Sequence, residues 1–269
     1  TASRTIERTI EPKQKPYQKP QYTGSDMPGF SYLKEETFSC GGQTNTVKIY
    51  RHDKTGLEFV LVPGGSFMMG SDDGSSDEKP VHRVSIKPFL LCRTECTQEA
   101  WDRIGGKDSR KWRGSNLPIE NVSWDACTAW CQKAGLRLPT EAEWEYACRA
   151  GTSFSYCFGD SDSSLSGYAW YDGNSGNKTH PVGEKKENAF GLYDMPGNVW
   201  EWCQDGYHDS YSGAPSDGSA WDSGASSRRV DRGGSWDLDS RYCRSANRNR
   251  YTPDCCYDYL GFRPALSCP

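Results

Sequence analysis

The sequence predicts an α+β protein, a few short helices and many short strands joined by loops. Three observations carry that reading. Short apolar or alternating runs, punctuated by Gly and Pro, recur in the first third of the chain. Three later segments combine a capping residue with helical spacing of apolar residues, and none of them is long. Gly (28) and Pro (15) make up about 16% of the 269 residues, against roughly 12% in an average chain.

The strand signals come first. Val47-Lys48-Ile49-Tyr50 alternates, and 57–62 (LEFVLV) is nearly continuous in apolar residues. Pro63-Gly64-Gly65 turns the chain into 66–70, and 81–86 alternates again. Thr97 then caps a helix through Ile104, stopped by Gly105-Gly106. Ser123 caps a second, in which Trp124, Cys127, Trp130, Cys131 and Ala134 recur at helical spacing before Gly135 closes it. Thr140-Glu141-Ala142-Glu143 is a capping box, the hydroxyl and the carboxylate each satisfying an orphan backbone donor. It opens a third helix through Arg149, ending at Gly151. Beyond it lie Gly/Ser/Asp-rich loops and short strands. No internal repeat is visible.

Composition sets the outer limits. Net charge is −4 and the isoelectric point about 5.7, which argues against a nucleic-acid partner, since that demands a basic face. Mean hydropathy is −0.83, and no apolar run approaches the roughly 20 residues of a membrane helix. Residues 1–36 begin with a stretch rich in Pro, Lys and Gln that cannot bury enough apolar surface to fold alone, so they read as a polar, largely extended tether. Residues 37–269 read as the folded domain. No signal peptide is visible, and an exported protein would carry its targeting segment outside this chain.

Twelve cysteines are many for a reducing cytosol, and the even count favours an oxidising compartment. Cys92/Cys96 and Cys127/Cys131 are each four apart, a spacing that on a helix puts both thiols on one face. A zinc site would want more His or Cys in register, and His52, His82, His180 and His208 are isolated. The cysteines therefore read as small buried hydrophobes with a few disulfides of open pattern.

Several segments accumulate in order: FVLVPGGSFMMGS, NVSWDACTAWCQKAGLRLPTEAEWEYACRAG, ENAFGLYDMPGNVWEW, RGGSW and LGFRPAL. Together, from about Leu57 to the C-terminus, they resemble the formylglycine-generating-enzyme (sulfatase-modifying factor) family. The resemblance implies a C-type-lectin-like fold with small twisted antiparallel sheets and short helices. It also implies a structural calcium, held through Gly197, Asn198, Val199 and Glu201, whose hard oxygens suit that ion. A second calcium segment of the enzymes, an acidic stretch before Pro181-Val182, is missing here. No other cofactor is implied as required. Residues 197–202 alternate as a strand, with Trp200 and Trp202 on one face as core.

The enzymes of this family hold copper between two thiolates five residues apart, the first following a GGS-aromatic motif. Gly233-Gly234-Ser235-Trp236 is present, but the first thiol position is Leu238 and only the second, Cys243, is a cysteine. Soft two-thiolate ligation selects Cu(I), and Leu offers no donor. Cys255 or Cys256 substituting in space is a remote alternative. The related sulfoxide synthases use a His-rich iron site on an added helical domain, which this sequence lacks.

Residues 237–259 sit between RGGSW and LGFR. They hold four Tyr, four Asp, four Arg and three Cys, and no Lys, Glu, Gln, Met or Trp. Those five types supply nearly a fifth of the whole chain. Randomising the adenines of Asn codons leaves a pyrimidine third base, from which Asp, Tyr, Ser, Cys, Arg and Leu are reachable and those five are not. The frame GGSW…CRSANR…PD…LGFR resembles the variable proteins of diversity-generating retroelements.

That resemblance implies diversified ligand-binding positions at Asp237, Leu238, Asp239, Ser240, Tyr242, Asn249, Arg250, Tyr251, Cys255, Cys256, Tyr257, Asp258 and Tyr259. Trp236, Cys243 and Phe262 would be the fixed scaffold beneath. Tyr supplies large rigid contact area and Asp, Ser, Asn and Arg adaptable polar contacts, as in antibody paratopes. The expectation is a non-catalytic, receptor-like, monomeric surface protein with an unidentified protein or other macromolecular ligand. It is expected at the cell surface as an outer-membrane lipoprotein, touching the membrane only through an anchor outside this chain. The competing readings are a formylglycine-generating-type copper oxidoreductase and a lectin-like domain of fixed specificity.

Overall fold

The computed structural model describes residues 27–107, 110–224 and 226–268. Six strands come first: β1 Phe30–Cys40, β2 Gln43–His52, β3 Glu58–Val62, β4 Gly65–Met69, β5 His82–Ile86 and β6 Phe89–Cys92. Three helices follow, α1 Gln98–Arg103, α2 Trp124–Ala134 and α3 Glu141–Arg149. Short strands close the chain: β7 Trp200–Gly206, β8 Arg229–Arg232, β9 Arg248–Tyr251, β10 Leu260–Gly261 and β11 Ala265–Ser267.

A five-stranded antiparallel sheet in the order β1-β2-β3-β6-β11 forms the centre. Its side chains alternate between two cores, as the period of a strand requires. Val60, Val62 and Leu91 face α3 through Trp144 and Ala147. Phe59, Leu90 and Cys92 face α1 and α2 through Trp101, Trp130 and Cys131. Burial on both faces explains why 57–62 reads as a continuous apolar run rather than an alternation. A second sheet, β10-β7-β8-β9, stands beside it, antiparallel except for the β10–β7 pair. β4 and β5 form a separate hairpin.

The three helices start where the caps predict. The Thr97, Ser123 and Thr140 side chains accept from the backbone N–H groups of Ala100, Ala126 and Glu143. Glu143 returns the bond to the Thr140 N–H, completing the capping box. Gly135 closes α2 in the left-handed conformation. The cap of α3 is Ala150, one residue before the expected Gly151, and it too is left-handed.

Three expectations need correction. The sheet begins at Phe30, so residues 30–36 belong to the domain and not to the tether; residues 1–26 lie outside the described residues. β1 is an edge strand whose middle is solvated, with Lys34 paired to Glu36, so its pattern resembles a polar linker. No disulfides form: all twelve cysteines are free, nine of them buried. Cys127 and Cys131 share the buried face of α2, but Cys92 ends β6 and Cys96 lies beyond it, so that pair is not helical. The Sγ atoms of Cys40 and Cys157 lie 3.8 Å apart. Last, Gly197–Val199 precede the strand, which starts at Trp200.

Candidate ligand-binding face

β8 delivers the chain to Gly233 and Gly234, both left-handed at φ 104° and 79°. A side chain at either would crowd its neighbours: a Cβ on Gly233 would lie 3.0 Å from the Met195 carbonyl oxygen, and one on Gly234 3.1 Å from the Cys243 Sγ. The double glycine is therefore a tight turn that only this residue makes freely. It places Trp236, 8% exposed, with its backbone N–H on the Asn198 carbonyl at 2.9 Å and its Nε1–H on the Asp258 carbonyl at 3.2 Å. Trp112 meets this indole edge to face at 6.3 Å.

Past Trp236 the chain is pinned by its backbone. The Leu238 carbonyl accepts from the Asp172 N–H, and the Ser240 carbonyl from the Tyr156 hydroxyl. A 3₁₀ turn, Ser240–Cys243, is capped by the Asp239 side chain. After β9, three N–H groups of the frame, those of Trp124, Asn121 and Trp200, donate to the carbonyls of Pro253, Tyr257 and Tyr259 at 2.9, 2.8 and 2.8 Å. Such bonds do not depend on which side chains the segment carries. The path is thus fixed by bonds that leave many of its side chains at least partly open to solvent.

None of the thirteen positions implied as diversified is buried. Asp237, Cys256 and Tyr257 are exposed and the other ten are half-buried. Trp236, Cys243 and Phe262 are buried. Convergence is incomplete, however. Tyr257 and Tyr259 stack face to face at 5.0 Å and 7°. Tyr251 leans on Tyr257 at 4.9 Å and meets the buried Trp202 edge-on. Asp258 pairs with Lys111 at 2.5 Å. Leu238, Tyr242, Tyr251 and Tyr259 all pack on the same core cluster. Cys255 Sγ lies 3.1 Å from the Thr252 hydroxyl. Two positions leave this face. Arg250 lies over Tyr207 on the opposite side of β9, and the Asn249 amide donates to the buried Asp231.

The loop carrying Lys111 and Trp112 borders the face and was not legible as part of it. Its backbone is anchored by Glu120, whose Oε1 accepts from the Lys111 and Trp112 N–H groups at 2.6 and 2.9 Å. Burial pushes the Glu120 carboxyl up to about 7, against the pull of those donors.

The expected copper pair does not fit a metal, and Glu201 is not open to calcium. Glu201 accepts from Arg263 at 2.7 Å and from the Trp144 indole at 2.7 Å, so a cation there would displace a buried guanidinium. The Asn198 side chain is taken by the His180 N–H, and its backbone carbonyl by Trp236. Among the described residues no group of three or more His, Cys, Asp or Glu gathers to hold an ion. At the expected calcium set of Gly197, Asn198, Val199 and Glu201 the Glu201 carboxylate is already taken, although beside Asn198 the buried Glu95 keeps its Oε1 without a partner. For copper, Leu238 has no donor, and burial pushes the Cys243 thiol far up, away from the thiolate that binds metal.

Comparison with known proteins fits this geometry. The model of the sulfatase-modifying factor enzyme 1-like domain matches residues 46–268. The chain belongs to that family. Within the sulfatase-modifying-factor family, the formylglycine-generating enzyme of Streptomyces coelicolor is 31% identical over 280 residues, covering 77% of this chain and 88% of that protein. The serine/threonine-protein kinase pkn1 of Chlamydia caviae is 34% identical over 77% of this chain, which spans only 38% of that protein. The solved structure of Treponema denticola variable protein 1 superposes with a TM-score of 0.72 at 30% identity, over 86% of this chain and 98% of that one. The fold is thus the C-type-lectin-like fold of this family, and the chain resembles the retroelement variable proteins.

Proposed function

We propose that this protein is a non-catalytic, receptor-like ligand-binding protein whose C-terminal face is diversified by a retroelement. One observation carries the reading. The segment 237–259 is held by backbone bonds from the frame, while the thirteen side chains implied as diversified all reach solvent at least in part. Its residue palette is the one adenine-directed change of Asn codons yields. Replacing a buried core residue costs about 2–5 kcal/mol, against a domain stability of about 5–15 kcal/mol, so a site that accepts many residues must be built this way. The likeness to Treponema denticola variable protein 1 supports the same reading.

The partner is a protein or other macromolecule, bound without a required cofactor. Display at the cell surface, by a lipid anchor joined through the polar N-terminal stretch, suits such a receptor. Copper oxidation is disfavoured by Leu238 and by the buried, protonated Cys243. The deciding experiment is sequencing of the locus in many isolates. Variation concentrated in the codons of the thirteen positions, beside a reverse transcriptase and an Asn-rich template copy, is the expected result. Uniform codons there, or formylglycine formed on a sulfatase-type cysteine peptide with copper and oxygen, would overturn the proposal.

A further inference from the structure

The four arginines of 237–259 suggest a mixed surface, but the structure draws most of their charge away. Arg244 grips the buried Glu78 through both amino groups at 2.9 and 2.7 Å. Arg248 grips the buried Glu141 at 2.6 and 2.8 Å. Arg250 lies on the far side of β9, over Tyr207 and 4.0 Å from Asp77. Arg241 remains outside but is paired with Asp239 at 3.0 Å.

The carboxylates stay in front. Asp237 and Asp254 are exposed, Asp237 accepting from the Ser235 hydroxyl and Asp254 held by Thr252 and a backbone group. Asp258 is matched by Lys111. Beside them stand the Tyr251, Tyr257 and Tyr259 rings, the Asp237 charge acting on Tyr259 and the Asp254 charge on Tyr257. Burial, with a contribution from the Asp237 charge, raises the Tyr259 phenol. A hydrogen bond with Cys255, with a contribution from Asp254, raises that of Tyr257. The phenols are therefore neutral, and their ring faces carry the negative quadrupole that attracts cations.

We infer that the face of this chain takes a cationic ligand, a protein segment presenting Arg or Lys side chains to the Tyr251–Tyr257–Tyr259 rings beside the Asp237 and Asp254 carboxylates. The inference rests on the proposed function and goes further, because it names the chemistry of the partner. A guanidinium stacks on tyrosine and pairs with carboxylate at once. The same charge repels nucleic acid and anionic lipid.

A phage-displayed random peptide library, selected on the intact protein, tests it, with enriched peptides then synthesised. They are expected to be rich in Arg and Lys. Their affinity is expected to fall at least about tenfold between roughly 0.05 and 0.5 M salt, where screening removes exposed charge pairs. It should fall similarly in the double variant Asp237→Asn, Asp254→Asn. Neutral or acidic peptides, or affinities indifferent to salt and to the Asn variant, overturn the inference. If such peptides still lose binding in a Tyr251→Ser, Tyr257→Ser, Tyr259→Ser variant, the face remains the binding site and only the partner's chemistry is wrong. Enriched peptides that ignore the Tyr variant, or no enrichment, defeat the proposed function as well.

Discussion

Replacing Tyr251, Tyr257 and Tyr259 together by Ser separates a binding face from ordinary structure. Deleting a fully buried aromatic costs about 3–5 kcal/mol, so three would exceed the stability of most domains. These rings are not so placed. Tyr257 is 36% exposed, and Tyr257 and Tyr259 stack chiefly on each other. Only the Tyr251–Trp202 contact ties the trio to a buried ring of the frame. One aromatic pair contributes about 0.5–1.5 kcal/mol beyond its area. With the partial burial of Tyr251 and Tyr259 on the core, the loss comes to about 2 kcal/mol. At roughly 2–4 °C per kcal/mol for a domain of this size, the melting temperature should drop by about 4–8 °C. Calorimetry reads that shift, and titration with a ligand selected on the unmodified face reads binding, which should vanish. A drop beyond about ten degrees, or binding that survives, would return the segment to ordinary structure.

Other outcomes follow from the frame. Arg263→Ala strands Glu201, both side chains being fully buried, and should cost about 3–5 kcal/mol in chemical denaturation; a loss under about 1 kcal/mol would show the carboxylate finding another partner. Glu120 is raised from 4.5 to about 7 in the fold, so its contribution to stability is full below pH 4.5 and is lost as pH rises to about 7. Glu120→Gln should remove that part of the slope in the urea midpoint between those pH values, and an unchanged slope would contradict the assignment. Leu238→Cys should bind Cu(I) no more tightly than the parent, because Cys243 stays buried and protonated; a tight copper complex in a competition assay would show the old pocket intact.

The helices were legible because each start is local: a hydroxyl three residues before the N–H it caps needs no tertiary partner. The central strands were legible because both their faces are buried. β1 was not, since an edge strand with Lys34, Glu35 and Glu36 outward carries little apolar signal. The segment 237–259 stood out in the sequence through its frame and its missing residue types. Its shape did not. Period two sends Arg250 to the other side of β9 from Tyr251, but that follows only once β9 is known to be a strand. Lys111 and Trp112 join the face across more than a hundred residues of sequence, and nothing in their own loop announces it. The engagement of Glu201 was hidden for a similar reason. Glu201 stands in a familiar motif, but its partner Arg263 is 62 residues away.

Beneath the face lies a buried network of charged residues. Arg232 pairs with Glu141 and Glu145, Arg248 with Glu141, and Arg149 with Glu145. Burial alone would raise the Glu145 carboxyl, but Arg149 and Arg232 more than offset it and hold it below its ordinary value. Arg232 also donates to the Ser245 and Ala246 carbonyls, which fixes the chain between the 3₁₀ turn and β9. Breaking a buried pair of this kind is costly because it leaves an uncompensated charge. The network therefore penalises displacement of the backbone heavily. It makes no demand on positions 237–240, 242, 251 or 255–259, none of which takes part in it. On the proposed reading, a stiff charged underlayer beneath the face would let sequence change there without loss of the fold, with Arg248 in the frame and Tyr251, three residues on in the same strand, in the site.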